Sequence, residues 1–302
     1  VFDCAGRLFG LRFVLHPEVR AYHPDVKVYE VWSASDELVG VFLHDNFARP
    51  TKRSGAWMSS FRDQSRNGVP DGVLPIVVND NNFAKGAPGE PTLLSFDDAR
   101  TLFHEFGHGL HGLLSNVDFE RLSGTSVLLD FVELPSQIFE HWLEQPDVLR
   151  RHARHYRSGE PIPQELVARL LRARRFNQGY ETVRYAASAL VDMAVHARTD
   201  GAPDDVCAFE RAELERHGAP PEIGLNHRLV HFQHLFSGSD YAAGYYVYLG
   251  AEVLDADGFD AFVRSEREVA ALLRQGRLNM IDQVPIVSRA FEQPYQERRS
   301  AT

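Results

Sequence analysis

"TLFHEFGHGLHGLL", residues 101–114, places three histidines and one glutamate on a stretch whose apolar residues recur at helical spacing. Ala99, Leu102, Phe103, Phe106, Leu110, Leu113 and Leu114 mark the stripe of a helix, and Ser95 with Asp98 three residues later has the pattern of a capping box at its start. Residues four apart lie one turn apart on one face, so His104 and His108 aim two imidazole nitrogens at a single point. A tetrahedral ion bound at about 2.0–2.1 Å requires that convergence. Glu105 projects beside the point rather than into it, where it can take a proton from water held by a metal. This His-Glu-x-x-His spacing is the metalloprotease pattern, and the chemistry dictates the spacing.

A histidine pair on a helix is also what a solvated face can look like, so the reading needs a third ligand. His111 lies close to the same stripe, but one helix cannot easily wrap three ligands around a tetrahedral centre and leave a corner open. It is expected to be a packing or supporting histidine. The zincin variant with a third histidine six residues after the second fails, because position 114 is Leu. A carboxylate from a second helix remains, and Asp118, Glu120, Asp130 and Glu133 are the candidates. Within "SGTSVLLDFVELPSQ" (123–137), Asp130 can begin a helix that tolerates Pro135 only near its first turn. Glu133 falls in that turn among Phe131, Val132 and Leu134, which read as buried. A carboxylate there needs a partner, and a dication is a good one. Ser136 and Gln137 share its face and are placed to orient the ligands.

The chain of 302 residues, 44% hydrophobic and 25% charged, has the composition of a globular protein. Its formal charge of -10 argues against nucleic acid or an anionic membrane as main partner. Two cysteines, Cys4 and Cys207, make no disulfide framework and fit a reducing, cytoplasmic setting. No apolar run reaches membrane-spanning length, and no signal-like segment opens the chain; the start at Val1 fits a fragment or a trimmed product. The first part (1–90) reads as strand-rich, with a hairpin from 25–32 and 37–45 around "SASD", a strand at 73–79 and a loop at 52–57. From 91 the pattern turns helical, with helices expected near 136–144, 147–156, 164–173, 180–198 and 204–217 and a flexible loop at 237–244. The expectation is one catalytic domain over 1–302, mainly α (α+β), with a small sheet beside the metal helix.

At this point the residues resemble a known family. "FHEFGHGLHGLLS", "LSGTSVLLDFVELPSQ" and "FQHLFSGSDYAAGYYVYL" look like the three active-site segments of the thimet oligopeptidase family of zinc peptidases, nearest its bacterial peptidyl-dipeptidase (dipeptidyl carboxypeptidase) branch. "YHPDVKVYEV", "KRSGAWM", "ARHYRSGEPIP" and "FNQGYETVRYAASALVDMA" are similar as well. The resemblance implies a zincin-like catalytic half holding one Zn²⁺ through His104, His108 and Glu133, with Glu105 as general base. It also implies that His234 and Tyr248 stabilise the tetrahedral intermediate and that Tyr241, Tyr245 and Gly238 help to hold the peptide, with Gly238 and Gly244 letting the tyrosines swing onto it.

Three departures stand beside it. Family members are longer, with a helical N-terminal half that forms the opposite wall of a channel. Gly250 replaces the usual Trp after "YYVYL", and the segment from "RQGRLNMIDQVPIV" (274–287) onward is unfamiliar. The implied activity is hydrolysis of short, unstructured peptides with release of C-terminal dipeptides. The alternatives are an endo-acting oligopeptidase and a non-catalytic zinc-stabilised half-domain, and a homo-oligomer is one way to complete the channel.

Overall fold

The computed structural model describes residues 1–274, a mixed α/β arrangement built on one five-stranded sheet. A short helix, α1 (Phe2–Phe9), leads into β1 (Arg12–Leu15), β2 (Lys27–Trp32), β3 (Leu38–Phe47), β4 (Trp57–Arg62) and β5 (Ile76–Phe83). Their order is β1-β2-β3-β5-β4, antiparallel throughout except for the parallel pair β3 and β5. The helices follow: α2 (Phe96–Leu113), α3 (Leu129–Val132), α4 (Leu134–Leu143), α5 (Pro146–His152), α6 (Gln164–Ala173), α7 (Gln178–His196), α8 (Val206–Arg216), α9 (Gln233–Phe236) and α10 (Val247–Arg274).

The hairpin around "SASD" forms as β2 and β3, and the helices expected from 136 to 217 form within a few residues of their expected bounds. Other elements differ. The strand expected at 73–79 starts at Ile76 and runs on through Asn79, Asp80, Asn81 and Asn82. Asn79, Asp80 and Asn81 of that polar run are buried, and tertiary partners meet two of them: Lys52 Nζ lies 3.4 Å from Asp80, and Asn81 Nδ2 donates to Asn46 Oδ1 at 3.1 Å. The loop expected through 57 ends at Ala56, where edge strand β4 begins. Helix α1 and strand β1 were not expected at all. The segment from Gln275 onward, including most of "RQGRLNMIDQVPIV", lies outside the described residues.

The core lies between the sheet and α2, with α4 packed on the outer side of α2. Val31, Phe42 and Val77 from the sheet meet Phe103, Phe106, Leu110 and Leu113 from α2, which in turn meet Ile138, Phe139 and Trp142 from α4. Three glycines let α2 sit this close. A Cβ on Gly107 would lie 2.5 Å from the carbonyl oxygen of Pro135; one on Gly109 would lie 2.9 Å from Asn79 Oδ1, and one on Gly112 2.7 Å from Met58 Cε. Packing at that range fixes the height of α2 between sheet and α4, and with it the position of the two histidines.

Candidate metal centre and cleft

Ser95 caps α2 through the expected box: its Oγ accepts from the Asp98 amide at 3.0 Å while the Asp98 carboxylate accepts from the Ser95 amide at 3.0 Å. From that start the helix runs unbroken through His104 and His108, whose rings are 4.9 Å apart. Glu133 arrives from the far side, at the junction of α3 and α4, rather than in the first turn of a helix begun by Asp130. Pro135 stands in the first turn of α4, where its missing N–H costs nothing. Phe131, expected to be buried, is exposed, whereas Glu133 is 1% exposed.

Glu133 Oε2 lies 3.3 Å from His104 Nε2 and 3.2 Å from His108 Nε2. Ligand atoms on a tetrahedron with bonds of about 2.0–2.1 Å are roughly 3.3 Å apart, so the spacing suits a small divalent ion. His104, His108 and Glu133 are the group among the described residues whose ligand atoms all fall within 4.8 Å of one another. Burial works against a charged His104, but Glu133 and Glu140 outweigh it and hold its pKa up at about 10. Glu133 is held far below the usual carboxylate range by the two imidazoles, in spite of its burial. The carboxylates raise His104 and the imidazole charge lowers Glu133, so the site is built to hold opposite charges close together; a dication would take the place of the imidazole protons and leave the rings neutral. The residues present fit a metal ion.

Glu105 is buried beside the trio; among the described residues its Oε2 has no hydrogen-bond partner, and desolvation raises its pKa. His111 stays apart from the trio, edge-on to Phe131 at 6.3 Å, and burial lowers its pKa to about 4. Asp118 pairs with Arg66 at 3.1 Å on the surface, and Glu120 and Asp130 are exposed.

The trio opens on a cleft of about 680 Å³ whose walls are the 53–59 segment, α2, the 125–133 segment and the loop around α9. His234, Tyr241 and Tyr248 line it. Tyr248 Oη and His234 Nε2 are 2.9 Å apart, and burial with the nearby Glu133 charge keeps the Tyr248 phenol protonated. Tyr241 donates to Glu133 Oε1 at 2.6 Å, so that Oε2 alone faces the histidines. Tyr245 and Gly238 are not among the lining residues; Tyr245 stacks on Tyr185 at 5.3 Å and meets Phe232 edge-on at 4.9 Å.

The family model described as peptidase family M3 matches residues 1–281. The chain belongs to peptidase family M3. The M3 chain is 44% identical to the dipeptidyl carboxypeptidase of Escherichia coli (strain K12) over 265 residues, which are 87% of this chain and 38% of that protein. It is 38% identical to the oligopeptidase A of the same strain over 268 residues, 87% of this chain and 39% of that one. To the thimet-like oligopeptidase of Dictyostelium discoideum it is 32% identical over 287 residues, 91% and 42% respectively. It therefore spans about two fifths of the length of these curated relatives.

Sequence reading passed over several residues that build the M3 chain's site. Asp192 on α7 is fully buried; its carboxylate accepts from the amides of Ala243 (3.0 Å) and Tyr245 (2.9 Å) and from His196 Nδ1. The tyrosine loop expected to be flexible is thus fastened at two amides, and Gly244 is small because Leu129 packs directly against it. An acidic residue at a buried position of "SALVDMAV" was the available signal. Lys52, 3% exposed, donates to the carbonyls of Asp45 (2.8 Å) and Asn81 (2.5 Å) and pins the segment that becomes the cleft wall. Ser136 donates to Glu133 Oε2 at 3.1 Å as its position suggested, whereas Gln137 donates instead to the Tyr248 carbonyl at 3.2 Å. Gly250 is exposed, with open space where a side chain would stand.

Proposed function

We propose that this chain is the catalytic part of a zinc peptidase with a zincin-like site, acting on short, unstructured peptides in a reducing compartment such as the cytoplasm. The observation that carries the reading is the convergence of His104, His108 and Glu133 beside an unpartnered, buried Glu105 on an open cleft. A zinc ion held by that trio supplies Lewis acidity, polarising a scissile carbonyl and bringing the pKa of water down to about 7. Glu105 accepts the proton of the attacking water and passes it to the departing amine. Tyr248, a neutral donor paired with His234, bonds the developing oxyanion.

Peptide as substrate is supported by the sheet. Among the described residues β4 pairs only with β5, so its outer edge is open, and Trp57, Met58 and Ser59 of that edge line the cleft. An extended peptide can add there as a further strand, which recognises backbone and rejects folded protein. Dipeptide release is supported by the higher identity to a dipeptidyl carboxypeptidase than to an oligopeptidase A.

The test is hydrolysis of a peptide with a free C-terminus and of its C-terminal amide, with products read by mass spectrometry. Activity is expected on the free acid, lost with chelator and restored by zinc, with dipeptides released. Equal turnover of the amide at internal bonds would replace the exo reading by an endo-acting one. No turnover in any form, with zinc bound, would leave a non-catalytic zinc domain.

A further inference from the structure

The three candidate ligands are supported unequally. Glu133 accepts from Ser136 and Tyr241. His108 Nδ1 is buried and has no hydrogen-bond partner among the described residues. His104 Nδ1 lies 2.7 Å from Glu140 Oε1, while its Nε2 faces Glu133. Glu140 stands on α4 two turns beyond Glu133 and looks onto α2, where Arg100 approaches its other oxygen at 3.8 Å. One oxygen of Glu140 is thereby directed to Arg100 and the other to His104.

We infer that Glu140 is the positioning residue for His104. An ionised carboxylate only accepts, so the imidazole must donate from Nδ1, and a neutral ring that carries its proton there presents a bare lone pair at Nε2. Glu140 selects the tautomer that can bind a cation and stops rotation of the ring about its Cβ–Cγ bond. Among the described residues nothing comparable holds His108, so His104 is the imidazole whose orientation is set before an ion arrives. Partners of this kind contribute about 10- to 100-fold in metal affinity. The inference rests on the reading that the trio holds zinc.

The experiment measures the zinc dissociation constant of the chain by competition with a chromophoric chelator, for wild type, Glu140→Gln, Glu140→Leu and Glu140→Asp. Long-range ¹H–¹⁵N spectra of the zinc-loaded protein, in which the ring is neutral, report the His104 tautomer by telling the bound nitrogen from the protonated one. Expected are an Nδ1–H tautomer in wild type, and in Glu140→Leu about 10- to 100-fold weaker zinc binding with mixed tautomers. Glu140→Gln keeps an acceptor oxygen, so it should retain the tautomer and recover much of the affinity. Glu140→Asp keeps the charge on an arm too short for the 2.7 Å contact, should behave like the Leu variant, and stands in for it if that variant does not fold. Wild-type affinity in both Glu140→Leu and Glu140→Asp, an unchanged tautomer in them, or equal weakening in Glu140→Gln overturns the assignment. A wild type that binds no zinc sinks the reading of the site instead.

Discussion

Under the proposed function, two side chains test whether zinc binding can be separated from chemistry. Glu105 lies beside the three candidate ligands but is not among the converging atoms, and its Oε2 has no hydrogen-bond partner among the described residues. Glu105→Gln is therefore expected to keep its zinc, measured by elemental analysis, while peptide turnover falls about 100- to 10,000-fold. Comparable turnover in that variant would remove Glu105 from the mechanism. Tyr248 lines the same cleft with its phenol kept protonated. Tyr248→Phe should lower kcat about 100- to 1000-fold with little change in KM, as loss of one oxyanion donor does. Both residues could be named from sequence only because a motif or a resemblance singled them out. Glu140 and Asp192 escaped, since a lone carboxylate on an amphipathic helix reads as ordinary surface until its neighbours are seen.

The decisive contact between elements is the crossing of α2 and α4 at Gly107. A Cβ there would meet backbone, Pro135 O at 2.5 Å and Ser136 Cα at 2.6 Å, so Gly107→Ala must push the start of α4 away and carry Glu133 with it. The variant is expected to lose about 1–3 kcal/mol of stability in urea unfolding, and zinc affinity as well. Gly112→Ala is the control, because there the nearest atom is the mobile end of Met58; it should cost less and leave zinc binding near wild type. Capping, helical stripe and hairpin were legible because each is a local pattern that backbone geometry reads directly. The polar strand Asn79–Asn82 was not, because Asp80 and Asn81 are met by Lys52 and Asn46, distant in sequence.

For the whole molecule, pH dependence follows from burial. His44, inside the sheet among Phe2 and Phe42, has its pKa pushed down by desolvation to about 4. The unfolded chain takes up the proton near pH 6.5, so between about 4 and 6.5 it binds more protons than the folded one, and stability rises with pH across that window. Lowering the pH from 7 to 5 is expected to cost about 2 kcal/mol through this group. Urea unfolding at the two values checks it, with His44→Phe losing that increment; an equal drop in the variant would place the effect elsewhere. The cleft likewise belongs to the whole, since its walls come from the 53–59 segment, α2, the 125–133 segment and the loop around α9.

From residue order alone came the pair of imidazoles one turn apart, the base beside them and the helix that carries both, because helical periodicity converts spacing into direction without reference to the rest of the chain. Glu133 could be picked out of its own segment as the third candidate, but the tilt at which it arrives and the contact of Glu140 with His104 depended on how closely α2 and α4 pack. Glycines at the crossing permit that closeness, and side chains far apart in the chain complete it through a core that forms only when sheet and helices close on one another.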